Sequence, residues 1–143
     1  MSEYGNCQDI ATLEVSRGRP DLDSRADLDR LLTSFYETAM TDHLLRPVFV
    51  DVAHLDLLTH LPRIGDFWER TLFGTGEYVG RPMDVHLRLH RAFPLTRTMF
   101  DRWLELWTAA VDAAFSGPSA ERAKDSARRI AGALERHLSA GRA

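Results

Sequence analysis

The sequence predicts an all-α domain. Apolar residues recur at the three- and four-residue spacing of helices in several separate stretches, and no stretch alternates apolar and polar residues as a half-buried strand does. Clusters of proline and glycine separate these stretches, as expected of turns between helices. The length of 143 residues suits one ordinary domain. We therefore expect a single helical core built from five or six helices.

The chain is predicted to begin with a flexible tail, residues 1–21, ahead of a domain spanning 22–143. The tail is polar and shows neither the helical nor the strand period. It lacks the basic start and apolar core of a secretory signal, and no run of about 18 apolar residues occurs anywhere. Cys7, the single cysteine, excludes a disulfide scaffold and a cysteine zinc cluster. We expect a cytoplasmic protein with no membrane segment.

The first helix is predicted to begin after Ser24, because Ser24 and Asp27 have the spacing of an N-terminal cap. One continuous apolar stripe follows, formed by Leu28, Leu31, Leu32, Phe35, Tyr36, Ala39 and Met40. Pro47 disfavours a helical conformation at the residue before it, which predicts a turn or a short irregular connection. Phe49 follows that turn directly.

A second helix is predicted from about His54 to Phe73. Its apolar stripe consists of Leu57, Leu61, Ile64, Trp68 and Leu72, with His60, Ile64 and Phe67 as an adjacent row. Pro62 lacks an amide donor and crowds the carbonyl one turn before it. The regular helix therefore either starts near Thr59 or kinks at Pro62.

The stretch "GTGEYVGRP" reads as a loop, and no strand precedes it, so its glycines are not a nucleotide-binding signature. Pro82 suits the start of a short helix through about His90. A long amphipathic helix is predicted from about Thr96 to Phe115. After the turn "SGPS", with Ser119 as cap, a last helix runs from about Ala120 to Leu138.

Composition excludes several classes of function. The formal charge of −3, without a long basic run, is unlike a dedicated nucleic-acid binder. No G-x-S-x-G turn and no placed cysteine nucleophile occur, which argues against serine and cysteine hydrolases. Small molecules or proteins are the expected partners.

Two groups of polar residues carry chemistry. His86 and His90 are four residues apart and share a helix face, but no cysteine or carboxylate is placed to complete a zinc site. Tyr36, His60 and Trp103 lie on or beside apolar stripes. Burying such a group unpaired costs roughly 1–3 kcal/mol, so either a hydrogen bond within the core or a bound ligand is expected.

The segments "SFYETA", "RPVF", "HLPRIGDFW", "LFGTGEYVGRPMDVHLRL" and "FDRWLELW" resemble those of the group III truncated haemoglobins, in the same order. The resemblance covers about residues 27–137. It implies a shortened globin fold, a two-over-two helical sandwich around one haem b.

The resemblance also assigns roles to individual residues. His86 matches the proximal ligand of the haem iron, whereas His90 has no matching role. Tyr36, His60 and Trp103 match polar distal residues that stabilise the bound gas. Phe49 and Phe67 match apolar residues that pack on the porphyrin. For the propionates we expect an arginine among Arg81, Arg88 and Arg91. The segment "LTRTMF" departs from the family's forms at Thr98 and Met99.

The function implied by the resemblance is reversible binding of O2, and of NO or CO, at pentacoordinate iron with slow release. Oxidation of NO or peroxidase-like cleavage of peroxide ranks second, and would need a separate, unidentified reductase because the chain has no flavin or nicotinamide domain. The competing hypothesis is a haem-free helical module for protein interaction. In that case the histidines and tryptophans belong to core and interface.

Overall fold

The computed structural model describes residues 18–52, 57–76, 78, 86, 90–91 and 94–140. Within these residues no strand occurs, and the all-α prediction is confirmed. The regular elements are four α-helices and one short π-helical segment: α1 Arg25–Ala39, the π-helical segment Pro47–Val52, α2 Leu57–Phe73, α3 Arg97–Ala114 and α4 Pro118–Ala140. The predicted short helix from Pro82 to His90 lies mostly outside the described residues.

Local caps set the ends of α1 and α3 where the sequence predicts them. The Ser24 hydroxyl accepts a hydrogen bond from the Asp27 amide at 3.2 Å. Thr96 does the same for the Met99 amide at 3.3 Å, and Phe115 ends α3. Each cap satisfies an amide that the first helical turn cannot.

The start of α4 differs from the prediction, because Ser119 is not its cap. Ser119 is the second residue of α4, and its amide donates to the Asp21 carboxylate at 2.9 Å. The Ala120 amide donates to the other oxygen of Asp21 at 2.8 Å. A carboxylate at this position also complements the positive end of the helix dipole. The cap of α4 therefore comes from a residue before α1.

Residues 18–21, which the sequence assigns to the tail, are attached to the turn between α3 and α4. Arg19 donates to the carbonyl of Asp112, and the Ser116 amide donates to the carbonyl of Pro20 at 2.9 Å. Leu22, directly after them, is fully buried. The remainder of the predicted tail, residues 1–17, lies outside the described residues, and its flexibility stays a prediction.

An arginine joins α1 to α2 beside the proline of α2. The Arg25 guanidinium donates to the Pro62 carbonyl at 2.9 Å, to Asp66 at 2.7 Å and to Glu69 at 3.0 Å. It lies over Gly65, where an added Cβ would be 2.6 Å from one of its nitrogens. Helix α2 begins at Leu57, two residues before Thr59, and continues past Pro62.

The helices are arranged as two layers of two. Helix α1 contacts α2 and α3, while α4 also contacts α2 and α3. This pattern agrees with the two-over-two sandwich predicted by the resemblance. Alanines on α4, among them Ala123 and Ala127, are fully buried and allow close approach of the bulkier α3. None of the described helices is long and apolar enough to cross a membrane.

Candidate functional site

Tyr36 presents a hydroxyl among aromatic rings on the inner side of α1. Its ring meets Phe35 and Phe49 edge-on, at centroid distances of 4.9 Å and 5.8 Å. Burial raises the pKa of the Tyr36 hydroxyl well above its ordinary value. Among the described residues none accepts a hydrogen bond from this hydroxyl. Tyr36 thus keeps its proton at neutral pH and has a donor to offer.

Trp103 brings a second donor from α3. Its ring lies parallel to that of Trp107 at 6.1 Å, and Phe35 meets it edge-on at 6.1 Å. The two indoles differ in their N–H groups. That of Trp107 donates to the Ala123 carbonyl at 3.1 Å, whereas that of Trp103 has no acceptor within the described part of the chain.

His60 contributes a third polar group, from α2. It is half-buried, and neither ring nitrogen is hydrogen-bonded to a described residue. A hydrogen bond between Tyr36 and His60, one of the two arrangements left open by the sequence, does not form. Ile64 and Phe67, in the same helical row, pack against the core. Three helices therefore each present a polar side chain that no described residue satisfies.

The two histidines of the "HLRLH" stretch have different surroundings. His86 is helical and partly buried, and its neighbours 79–85 and 87–89 lie outside the described residues. His90 is 9% exposed, and its Nδ1 accepts a hydrogen bond from the Leu95 amide at 2.9 Å. That bond occupies the Nδ1 lone pair and closes the chain onto the segment before α3. Among the described residues, no group of three or more metal-binding side chains occurs.

Phe49 follows the predicted turn, and the side chain that fixes this turn is Asp42, which no pattern in the sequence indicates. The Asp42 carboxylate accepts hydrogen bonds from the Leu44 and Leu45 amides, at 3.1 Å and 3.2 Å, and from Arg102 Nε at 2.8 Å. These bonds fix the chain just before the π-helical segment that carries Phe49. Arg102 directly precedes Trp103 in α3. The ion pair between Arg102 and Asp42 therefore links the helix that carries Trp103 to the turn before Phe49.

We expect Asp42→Ala to destabilise the protein by about 2 kcal/mol at neutral pH, since it removes three hydrogen bonds to a carboxylate whose side chain is 7% exposed. Chemical denaturation measures this loss. The matched control is Asp101→Ala, which removes an exposed pair with Arg97 at 3.9 Å and should change stability by less than about 0.5 kcal/mol. Equal effects of the two substitutions would contradict the role of Asp42.

The contribution of Asp42 should depend on pH. Burial alone would raise its pKa, but the hydrogen bonds from Arg102 and from the Leu45 and Leu44 amides outweigh burial and lower it. A carboxyl with a lowered folded-state pKa stabilises the protein above the ordinary carboxyl pKa. We expect the difference between wild type and Asp42→Ala to be full at neutral pH and to shrink as the pH falls through the folded-state pKa. A difference that stayed constant down to strongly acidic pH would contradict this.

The structure describes only some of the other residues that the resemblance singled out. Of the three arginines proposed for the propionates, Arg81 and Arg88 lie outside the described residues, and Arg91 is exposed. At the two positions that depart from the family's forms, Thr98 is exposed and Met99 packs against the main core.

Comparison with known proteins identifies the family. The profile of the bacterial-like globins matches residues 18–136. The chain is 28% identical over 96 residues to the group 3 truncated hemoglobin ctb of Campylobacter jejuni, covering 65% of this chain and 73% of that protein. It also matches the crystal structure of group III truncated hemoglobin from Campylobacter jejuni, with a TM-score of 0.74, 26% identity, and coverage of 81% of this chain and 91% of that chain. The chain belongs to the bacterial-like globin family, and its relatives are group III truncated haemoglobins.

Proposed function

We propose that this globin holds one haem b through His86 and binds O2 reversibly, with slow release. Membership of the globin family implies a haem and a diatomic gas ligand. The observation that carries the finer proposal is the set of polar groups on Tyr36, His60 and Trp103, which no described residue satisfies although each is at least partly buried. These three side chains are partly buried beside apolar residues and keep polar atoms that a bound ligand can reach, which fits a polar ligand beside a large apolar group.

His86 is proposed as the iron ligand. A neutral imidazole is a sound axial ligand for haem iron, which when bound supplies the coordination position for the gas. The alternative ligand, His90, already uses its Nδ1 to accept the Leu95 amide. His90 therefore serves to close a turn.

The distal side is proposed to hold the gas through hydrogen bonds. Tyr36 and Trp103 each offer a donor, and a gas ligand that gathers partial negative charge is stabilised by donors already in position. Phe35 and Phe49 pack edge-on against Tyr36, and such apolar surroundings strengthen a hydrogen bond from its hydroxyl. At about 1.5 kcal/mol for each bond, two of them slow release by roughly a hundredfold. This favours a slow-release site over a carrier, for O2 and also for NO.

We expect Tyr36→Phe to raise the O2 dissociation rate about tenfold, because one hydrogen bond of about 1.4 kcal/mol is lost while the ring remains. Stopped-flow displacement of O2 measures the rate. Carbon monoxide provides the control, since it gathers less charge and its dissociation rate should change less. An unchanged O2 rate would show that the hydroxyl does not donate to the gas.

The proposal as a whole is tested by the optical spectrum of the purified protein, oxidised, reduced and with carbon monoxide. A Soret band that shifts on reduction and again with carbon monoxide supports it. The haem-free interaction module predicts a colourless protein that does not acquire a Soret band when haem is added. That result would refute both the proposed haem binding and the proposed gas binding.

Redox activity is the second candidate. It comprises oxidation of NO or cleavage of peroxide, with electrons from an external reductase. The observation that favours peroxide chemistry is the stacking of the chain's three tryptophans, which provides adjacent oxidisable side chains.

A further inference from the structure

All three tryptophans of the chain lie in one stack. Trp68 of α2 packs face to face on Trp107 of α3, with a centroid distance of 4.6 Å and an interplanar angle of 18°. Trp107 is in turn parallel to Trp103, at 6.1 Å and 9°. The stack therefore crosses from one helix layer to the other, and its last member is the tryptophan whose indole N–H has no described acceptor.

Two of the three stacked tryptophans are almost completely shielded from water. Trp68 is 3% exposed and Trp107 is 1% exposed. Phe35 meets Trp107 edge-on at 5.2 Å and also covers Trp103. Edge-on contacts are common in cores. The contacts within the stack differ from them because they bring three easily oxidised rings into parallel contact, closely for Trp68 and Trp107 and with an offset for Trp103.

The other end of the stack meets Phe67, a residue that the resemblance also places against the porphyrin, and beyond it the partly exposed Tyr78. Phe67 lies edge-on to Trp68 at 5.6 Å and edge-on to Tyr78 at 5.3 Å. Tyr78 is partly exposed, and a phenol is, like an indole, a side chain that can give up one electron. A row of aromatic rings thus connects Trp103 with a tyrosine that a small molecule can reach.

We propose that the tryptophan stack, Trp103–Trp107–Trp68, carries single electrons between the haem pocket and the surface at Tyr78 when hydrogen peroxide reacts in the pocket. This inference rests on the proposed function, since it needs the haem as the group that reacts with peroxide. The external donor is a small reductant of the phenol or ascorbate class. In sum, one hydrogen peroxide and two such donors, each giving one electron and one proton, yield two waters and two donor radicals, with cleavage of the O–O bond.

Within that cycle the stack gives up one electron at a time and is then reduced again from the surface. The Trp107 N–H donates to the Ala123 carbonyl, and a carbonyl oxygen is too weak a base to remove the proton. Trp107 therefore loses an electron without losing its proton, and the transient species is an indole radical cation. When the radical cation is reduced, the neutral indole forms again with its N–H in place, so no proton has to move to or from Trp107.

The test is freeze-quench electron paramagnetic resonance of the ferric haem-loaded protein after mixing with hydrogen peroxide, in two preparations. One contains ordinary tryptophan and the other contains ring-deuterated tryptophan. We expect a protein radical whose spectrum narrows with the deuterated rings, since the unpaired electron then couples to deuterons. A radical spectrum that is identical in the two preparations, or no protein radical at all, overturns the proposal.

Two variants locate the path. Trp107→Phe should abolish most of the tryptophan signal and bleach the haem several-fold faster, and Tyr78→Phe should slow the disappearance of the signal after ascorbate is added. Phe100→Leu, on α3 but outside the stack, is the control and should leave both measurements unchanged. If Trp107→Phe does not fold, isotope labelling of the wild type still decides. A preparation that takes up no haem refutes the proposed function, whereas a normal Soret band without a tryptophan radical refutes this inference alone.

Discussion

Replacing His86 with alanine is expected to remove the proposed ligand to haem iron, so that the Soret band is lost or strongly altered. The coordinate bond to a neutral imidazole is replaced by a methyl group that cannot bind a metal. Because haem binds only the folded globin, its loss should also remove the stabilisation that ligand binding adds to the folded state. Haem titration followed at the Soret band, and thermal unfolding with and without haem, measure the two effects.

His90→Ala is the matched control, one helical turn away. It removes the acceptor of the Leu95 amide, which leaves a donor unpaired and should cost about 1–3 kcal/mol of stability. The position of the Soret band should nevertheless stay unchanged. The opposite pattern, with normal ligation in His86→Ala and lost ligation in His90→Ala, would overturn the choice of ligand.

The helices that the sequence predicts well are those with signals inside the helix and at its own ends. Ser24 and Thr96 are caps within three residues of the amides they satisfy, and continuous apolar stripes follow each of them. Such information is local, so the sequence predicts α1 and α3 nearly to the residue. The roles proposed for Tyr36, His60 and Trp103 came from the family resemblance, since periodicity alone favoured a hydrogen bond within the core over a bound ligand.

The features that the sequence did not predict depend on residues distant in the chain. Asp21 caps α4 from about a hundred positions away, and Asp42 pairs with Arg102 across 60 positions. Arg25 similarly bonds to the carbonyl of Pro62, beside a glycine that leaves space for the guanidinium. Nothing near an aspartate in the sequence indicates which remote amides it will meet, because that depends on how the helices pack.

The difference between His86 and His90 also depends on a contact that local sequence patterns do not predict. Their spacing is equally consistent with a shared metal site and with two unrelated roles. The hydrogen bond from the Leu95 amide to His90 favours a structural role in the turn for the second histidine. That contact depends on the chain folding back after the histidine, which helical periodicity does not predict.

The largest effect on stability is expected from Phe35→Ala, at about 3–5 kcal/mol. The ring of Phe35 is 1% exposed and lies edge-on to Tyr36, Trp103 and Trp107 at once. Its removal leaves a cavity between α1 and α3 that none of these large, stacked rings can fill without leaving its own contacts. Chemical denaturation gives the loss in the free energy of unfolding. A loss below about 1 kcal/mol would show that the core closes over the gap.

The same substitution should also change gas binding, because Phe35 holds the side chains proposed to donate to the gas. Phe100→Ala is the control: it removes a buried phenylalanine from the other core cluster, whose only tryptophan contact is Trp103. Both variants should unfold more easily, but Phe35→Ala should raise the O2 dissociation rate more, measured where both remain folded, because Phe35 contacts both Tyr36 and Trp103. If the two variants released O2 equally fast, loss of stability alone would explain the change. A difference between the two variants would show that the ring of Phe35 holds Tyr36 and Trp103 in position.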